Sequence, residues 1–119
     1  MAVNDINKGL NYITYGLYIV NTCEGEKKNG LIVNTVFQVT AEPAQMAISV
    51  NKNSLTHDMI LKSRVFAAMP LEQNTPLPFI GIFGFRSGRT FDKLAKVPYK
   101  MGFLGCPIVG EHTLSYMEV

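Results

Sequence analysis

Runs of β-branched and aromatic residues at 12–22, 31–40, 45–50 and 65–71 constrain this chain more than any other feature. Such side chains suit the pleated, half-buried surface of a sheet, and every run is short. Turn chemistry separates them. Residues 25–30 hold Gly25 and the Asn29-Gly30 pair; these tolerate positive φ and predict a hairpin turn between the first two strands. Glu42-Pro43 ends the second strand, because proline cannot donate to a ladder. In the third, Met46, Ile48 and Val50 share one face and Gln45, Ala47 and Ser49 the other.

Helical signals are brief and lie between strands. Ser54 is a candidate N-cap, Asp58 suits the first turns, and Met59, Ile60 and Leu61 supply an apolar surface before Lys62 and Arg64. Thr75-Pro76 caps and opens a second helix through Ile82, and residues 91–94 predict one further turn. Strand candidates at 107–109 and 113–119 follow, with Gly110, Glu111 and His112 as the turn between them. Strands do not alternate regularly with long helices, which argues against a doubly wound sheet. A mainly β fold fits better: a small antiparallel barrel or Greek-key sheet with short helices inserted. A chain of 119 residues is expected to form one domain, 1–119, around one core.

Composition removes several function classes. Apolar residues make up 47% and charged residues 17%, too apolar a balance for disorder. A net charge of +2 is too small to favour nucleic acid or an anionic membrane as partner. No apolar run approaches the roughly 18–20 residues that a spanning helix needs. The opening at 1–8 is polar and mixed in charge, without the basic and then apolar order of a signal peptide. Cys23 and Cys106 form no CxxC and no Cys/His cluster, so two reduced thiols, no bound metal and a cytoplasmic location are expected.

Three polar clusters stand out against this background. Asn34, Thr35, Val36, Phe37 and Gln38 place polar atoms and a ring on a greasy strand, as the edge and face of a flat heteroaromatic ligand require. The segment from Asn51 through Lys52, Asn53 and Ser54 to Thr56 and His57 lies where a strand hands over to a helix, whose free N–H groups favour an anion. Phe85, Arg86, Ser87, Gly88 and Arg89, followed by Asp92 and Lys93, combine hydroxyl, glycine and fixed positive charge. Arg89 and Lys93, four apart, are expected to share a helix face that Ser87 and Gly88 open. Each cluster has a plainer alternative: a half-exposed strand, simple N-capping by Ser54, and a charged turn with Asp92 as internal partner. Together they point to a phosphorylated ring cofactor, with flavin mononucleotide (FMN) the leading candidate. His57 and His112 have no serine or cysteine partner at triad spacing, and no carboxylate pair stands out for acid–base work.

In order and spacing these segments resemble the flavin reductase-like, FMN-binding split-barrel family, in particular the flavin reductase domains of high-molecular-weight rubredoxins and flavoredoxin-like proteins. The residues that carry the resemblance are Tyr15-Gly16-Leu17-Tyr18-Ile19-Val20, the run from Gly30 to Thr40, Glu42-Pro43, Ile48-Ser49-Val50-Asn51-Lys52 with Thr56-His57, and Phe83-Gly84-Phe85-Arg86-Ser87-Gly88-Arg89 with Asp92-Lys93. The resemblance implies NAD(P)H:flavin reductase-type electron transfer, with NADH or NADPH as co-substrate and no catalytic side chain, because the redox chemistry belongs to the flavin. It implies a homodimer with FMN near the subunit interface. Asn34, Thr35, Val36, Phe37 and Gln38 would line the ring system, and Asn51, Lys52, Thr56, Ser87, Gly88, Arg89 and Lys93 would hold the ribityl and phosphate end. Family members run some tens of residues further, through a Gly-Asp-His-like motif that this sequence does not contain, so nicotinamide-driven turnover is expected to be weaker here. Two other readings stay open: an FMN-binding electron-transfer module fed by a protein such as rubredoxin, and a cofactor-free split-barrel domain serving assembly.

Overall fold

The computed structural model describes residues 3–119. The polar opening at 1–8 begins outside the described residues, and from there it forms helix α1 (Val3–Leu10), which the sequence reading did not anticipate. The main sheet is four-stranded and antiparallel, in the order β2-β1-β5-β8, built from β1 (Tyr18–Glu24), β2 (Lys27–Val33), β5 (Ala67–Pro70) and β8 (Met117–Glu118). A second sheet is the hairpin of β3 (Val36–Ala41) and β4 (Ala44–Ile48). A third pairs β6 (Lys100–Met101) with β7 (Pro107–Ile108). Helices α2 (Leu55–Ser63) and α3 (Leu77–Gly84) fill the connections on either side of β5 as predicted, but α3 starts after Pro76 with no side-chain cap, because the Thr75 hydroxyl donates to Glu72 O at 2.6 Å, and it runs on to Gly84. This is the antiparallel, mainly β split barrel expected of the sequence.

The sheet is buried on both faces, and the alternation along its central strands shows why. Ile19, Ala67 and Met69 face Phe79 and Phe83 of α3, together with Cys106, Ile108 and Val109. Val20 and Ala68 face the other way, towards Met46 and Ile48 of β4 and Ile60 of α2. Successive strand residues point to opposite faces, so an unbroken apolar run supplies both cores at once.

Several boundaries differ from the sequence reading; the last strand, expected over 113–119, pairs only at Met117–Glu118. The first strand starts at Tyr18 rather than residue 12, because its ladders run out there: Tyr18 pairs with Val33 of β2 and with Pro70 of β5. The first hairpin turns on Gly25 and Glu26 alone, with Gly25 at φ +62°, and Lys27–Val33 is strand. Gly30 therefore serves a close approach rather than a turn. It pairs with Asn21, whose buried side chain occupies the space that a Cβ at Gly30 would need. The run at 31–40 is two strands, not one. The chain leaves the main sheet at Asn34 and Thr35 and enters the second at Val36, which pairs with Ile48. The turn expected at 91–94 forms instead as a 3-10 turn at Leu94–Lys96, where Asp92 Oδ1 accepts from the backbone N–H of Ala95 at 3.2 Å.

Candidate functional site

The hand-over from β4 to α2 is organised by its own side chains. Asn51 Oδ1 accepts from the N–H of Asn53 at 2.9 Å, and Ser54 Oγ accepts from the N–H of His57 at 3.1 Å, so Ser54 is the N-cap that the sequence predicts. The start of α2 thus lies at the surface beside Asn51 and Asn53, with its positive dipole end turned outward. Thr56, in the first turn, is buried, and its Oγ1 accepts from Asn29 Nδ2 of β2 at 3.0 Å. That bond joins α2 to the edge strand of the main sheet.

The segment after α3 lies opposite. Residues 85–93 form turns rather than a helix: Ser87 Oγ accepts from the N–H of Arg89 at 3.2 Å, and Ser87 O accepts from the N–H of Thr90 at 3.2 Å. Ser87 captures the local N–H groups that a helix would have used. The expectation that Arg89 and Lys93 share a helix face is therefore corrected. Arg89 is half-exposed and pairs with Asp58 of α2, Nη2 to Oδ2, at 2.7 Å, so Asp58 and not Asp92 is its partner. The Arg89 hydrogen bond and then that of His57 hold the Asp58 carboxyl below its usual range. Arg86 stacks its guanidinium over the Phe91 ring at 4.4 Å.

Lys93 departs furthest from expectation. A surface or groove cation was predicted, but the residue is only 3% exposed. Its Nζ donates to Gly30 O of β2 at 2.8 Å and to Phe83 O of α3 at 2.7 Å. Phe83 lies in the last turn of α3, where carbonyls lack helical partners and a cation is favoured. No basic residue of α3 fills that role, and Lys93 supplies it through space. Burial brings its pKa down to about 8.

These elements enclose a cleft of about 390 Å³ between β2, the start of α2 and the segment after α3. Asn51, Ser54, Thr56, Ser87, Gly88 and Lys93 all reach its lining, so it gathers two of the three sequence clusters. A second cleft of about 490 Å³ continues from it, sharing Leu31, Ile32 and Asn51, and ends at Asn34. The result is one elongated groove along β2, with hydroxyls, amides and guanidinium at one end, apolar Leu31 and Ile32 in the middle, and Asn34 at the other. Gly88 comes so close to β2 that a Cβ there would collide with the side chain of Asn29.

Of the remaining predicted residues, Lys52 is exposed beside Asn51 without lining the groove, and Thr35 donates to Asn34 Oδ1 at 3.0 Å. Val36 packs into the core, whereas Phe37 and Gln38 are exposed on the β3–β4 hairpin, outside the groove. The sequence reading missed Asn29, which forms part of the lining and fixes Thr56, because the Asn-Gly pair read as a turn. Ser54, Asn53 and Arg86, polar members of the same clusters, also line the groove.

Residues 10–118 match the family model described as a flavin reductase like domain. The chain is 45% identical over 111 residues to a high molecular weight rubredoxin of Moorella thermoacetica, covering 93% of this chain and 48% of that protein. It is 44% identical over 106 residues to a ferric-chelate reductase (NAD(P)H) of Archaeoglobus fulgidus, covering 89% of this chain and 63% of that one. It thus spans about half to less than two thirds of the curated relatives' length. An FMN-binding protein of Thermus thermophilus superposes with a TM-score of 0.79 at 25% identity, over 90% of this chain and 59% of that one. An NADH:FAD oxidoreductase of Streptomyces globisporus shares the fold, with a TM-score of 0.83 at 19% identity over 97% and 68% of the two chains. The groove along β2 is therefore set in a flavin reductase-like domain, and to that family this chain belongs.

Proposed function

We propose that the domain binds FMN in the groove along β2 and works as an NAD(P)H-dependent flavin reductase-type oxidoreductase. The observation that carries this reading is the continuity of the groove, which joins an anion-suited end to an apolar middle and a polar far end in one elongated trough. The donor set fits the group. The start of α2, the hydroxyl of Ser87 and the guanidinium of Arg86 suit a phosphate, while the Ser54 hydroxyl is committed to Asn51 O at 2.8 Å. Gly88 lets the segment after α3 lie against Asn29 of β2, where a Cβ would collide. Leu31 and Ile32 offer an apolar surface for a ring, and Asn34 a polar edge. Arg89 lines a neighbouring cleft beyond Gly88 rather than the groove itself, and there it neutralises the Asp58 carboxylate of α2. The chemistry that FMN supplies when bound is hydride acceptance from a nicotinamide and onward transfer of electrons. The chain's own part is to bind, orient and shield; no side chain is assigned a proton to move.

The same reading includes a cytoplasmic homodimer. The exposed Phe37 and Val39 on β3 support self-association, and the two free thiols accord with a reducing compartment. Among the described residues no helix is long and apolar enough to cross a membrane. A second reading, an electron-transfer module fed by a redox protein, is favoured by the 45% identity to a protein named for rubredoxin.

The deciding experiment is spectroscopic. The protein is incubated with FMN, desalted, and mixed anaerobically with NADH or NADPH. Retained flavin absorbance that bleaches supports the reductase. Retained absorbance that does not bleach favours the module fed by a protein partner. Failure to retain flavin rejects both.

A further inference from the structure

We propose that Cys23 and Cys106 form a redox-active dithiol, a site at which a hydroperoxide closes a disulfide within one chain. The two lie far apart in sequence but on one side of β1. Ile19, Asn21 and Cys23 share a face of that strand, and Ile19 and Cys23 pack with Cys106 in one apolar cluster. Asn21 Nδ2 donates to Pro107 O at 2.9 Å, which lays the segment around Cys106 along that same face. A Cβ built on Gly105 would stand 3.6 Å from Cys23 Sγ.

Their environments differ in a way that assigns the roles. Cys23 is partly exposed and Cys106 is fully buried. Burial, with Cys23 alongside, holds the Cys106 thiol up at about 12. An oxidant from solvent therefore meets Cys23 first. The Cys23 thiolate attacks one peroxide oxygen, the O–O bond breaks, and the departing oxygen leaves as water or alcohol after taking a proton. Cys23 is then a sulfenic acid. The sulfur of Cys106 attacks the sulfur of Cys23, the S–S bond forms as the S–OH bond breaks, and the hydroxide leaves as water with the proton of Cys106. Two thiols lose two electrons and two protons, and one peroxide becomes two molecules of water or one each of water and alcohol. This chemistry is independent of what the groove binds.

The test treats the reduced full chain with hydrogen peroxide under native conditions, then counts thiols after denaturation and maps the peptides by mass. Loss of both thiols together, a mass lower by two hydrogens, a linked Cys23–Cys106 peptide and recovery with dithiothreitol are expected. In Cys106→Ser the reaction should stop at a Cys23 sulfenic acid that dimedone traps. Over-oxidation of Cys23, a disulfide between two chains, or no thiol loss, with Cys106 still free in the parent, would overturn the proposal. The parent's peptide map decides by itself, even if Cys106→Ser does not fold.

Discussion

The ammonium of Lys93 donates to the carbonyl oxygen of Gly30 at 2.8 Å, and so ties the segment after α3 to the edge strand β2 beneath the groove. Its second bond, to Phe83 O, fixes the end of α3 to the same point. One side chain thus sets the spacing between two elements of the groove.

Lys93→Met should therefore destabilise the fold rather than merely weaken an anion contact. Two buried carbonyls lose a charged donor, at about 1–3 kcal/mol for each group left unsatisfied. Urea unfolding of parent and variant measures this. The pH dependence has a defined sign. The Lys93 pKa falls from 10.5 to about 8 on folding, so the unfolded chain binds more protons between those values. Stability of the parent relative to the variant should rise with pH across that window and level off outside it. A flat difference would mean that Lys93 does not titrate with folding.

Affinity for FMN should exceed that for riboflavin by about tenfold or more, since each charge-assisted contact to the phosphate contributes about 1.5–3 kcal/mol. Fluorescence titration of both ligands reads the ratio directly. Equal affinities would remove the phosphate from the α2 end of the groove.

Arg89 and Asp58 should behave as a coupled pair in binding. Arg89→Ala removes a cation next to Gly88 of the groove and leaves the Asp58 carboxylate uncompensated near the start of α2. FMN affinity should fall several-fold with little change in stability, because the pair is half-exposed and such bridges contribute little, about 0–1 kcal/mol. Adding Asp58→Asn should restore part of the affinity. If Arg89→Ala binds FMN as the parent does, the guanidinium serves only its salt bridge.

Much of this architecture was legible in the sequence, for reasons that particular residues illustrate. Ser54 caps α2 because a short hydroxyl at a strand-to-helix boundary has few other uses. The alternation in β4 reads correctly because Met46 and Ile48 face a core. Failures fall where a tertiary partner overrides a local signal. Asn29-Gly30 has turn chemistry, but Gly30 is needed for the Asn21 side chain and Asn29 for Thr56. Lys93 read as a surface charge because nothing local reveals two carbonyls from Gly30 and Phe83 converging on it. The groove itself joins segments that only the fold brings together.

Gly88→Ala should damage the groove without touching any charge. The added Cβ would meet the side chain of Asn29, which is buried and held by Thr56, so it cannot swing away cheaply. Overpacking of this kind costs about 1–3 kcal/mol. A lower melting temperature with weaker FMN binding is expected. Unchanged values for both would show that the segment after α3 yields freely.

Self-association should depend on the β3–β4 hairpin. Among the described residues β3 pairs only with β4, and Phe37 and Val39 are each 54% exposed along it. An unpaired strand edge carrying apolar side chains is unstable against pairing with another surface. A second copy of the chain is the proposed occupant, and light scattering should report a dimer. Phe37→Asp places a charge where the contact would have to be dry, and should shift the population to monomer. If both subunits contribute to FMN binding, the ligand stabilises the dimer by mass action and the variant loses affinity as it dissociates. Adding saturating FMN should then drive part of the variant back to dimer. A parent that scatters as a monomer with FMN bound would defeat the dimer. A monomeric variant with parental FMN affinity would show that one subunit's groove is sufficient.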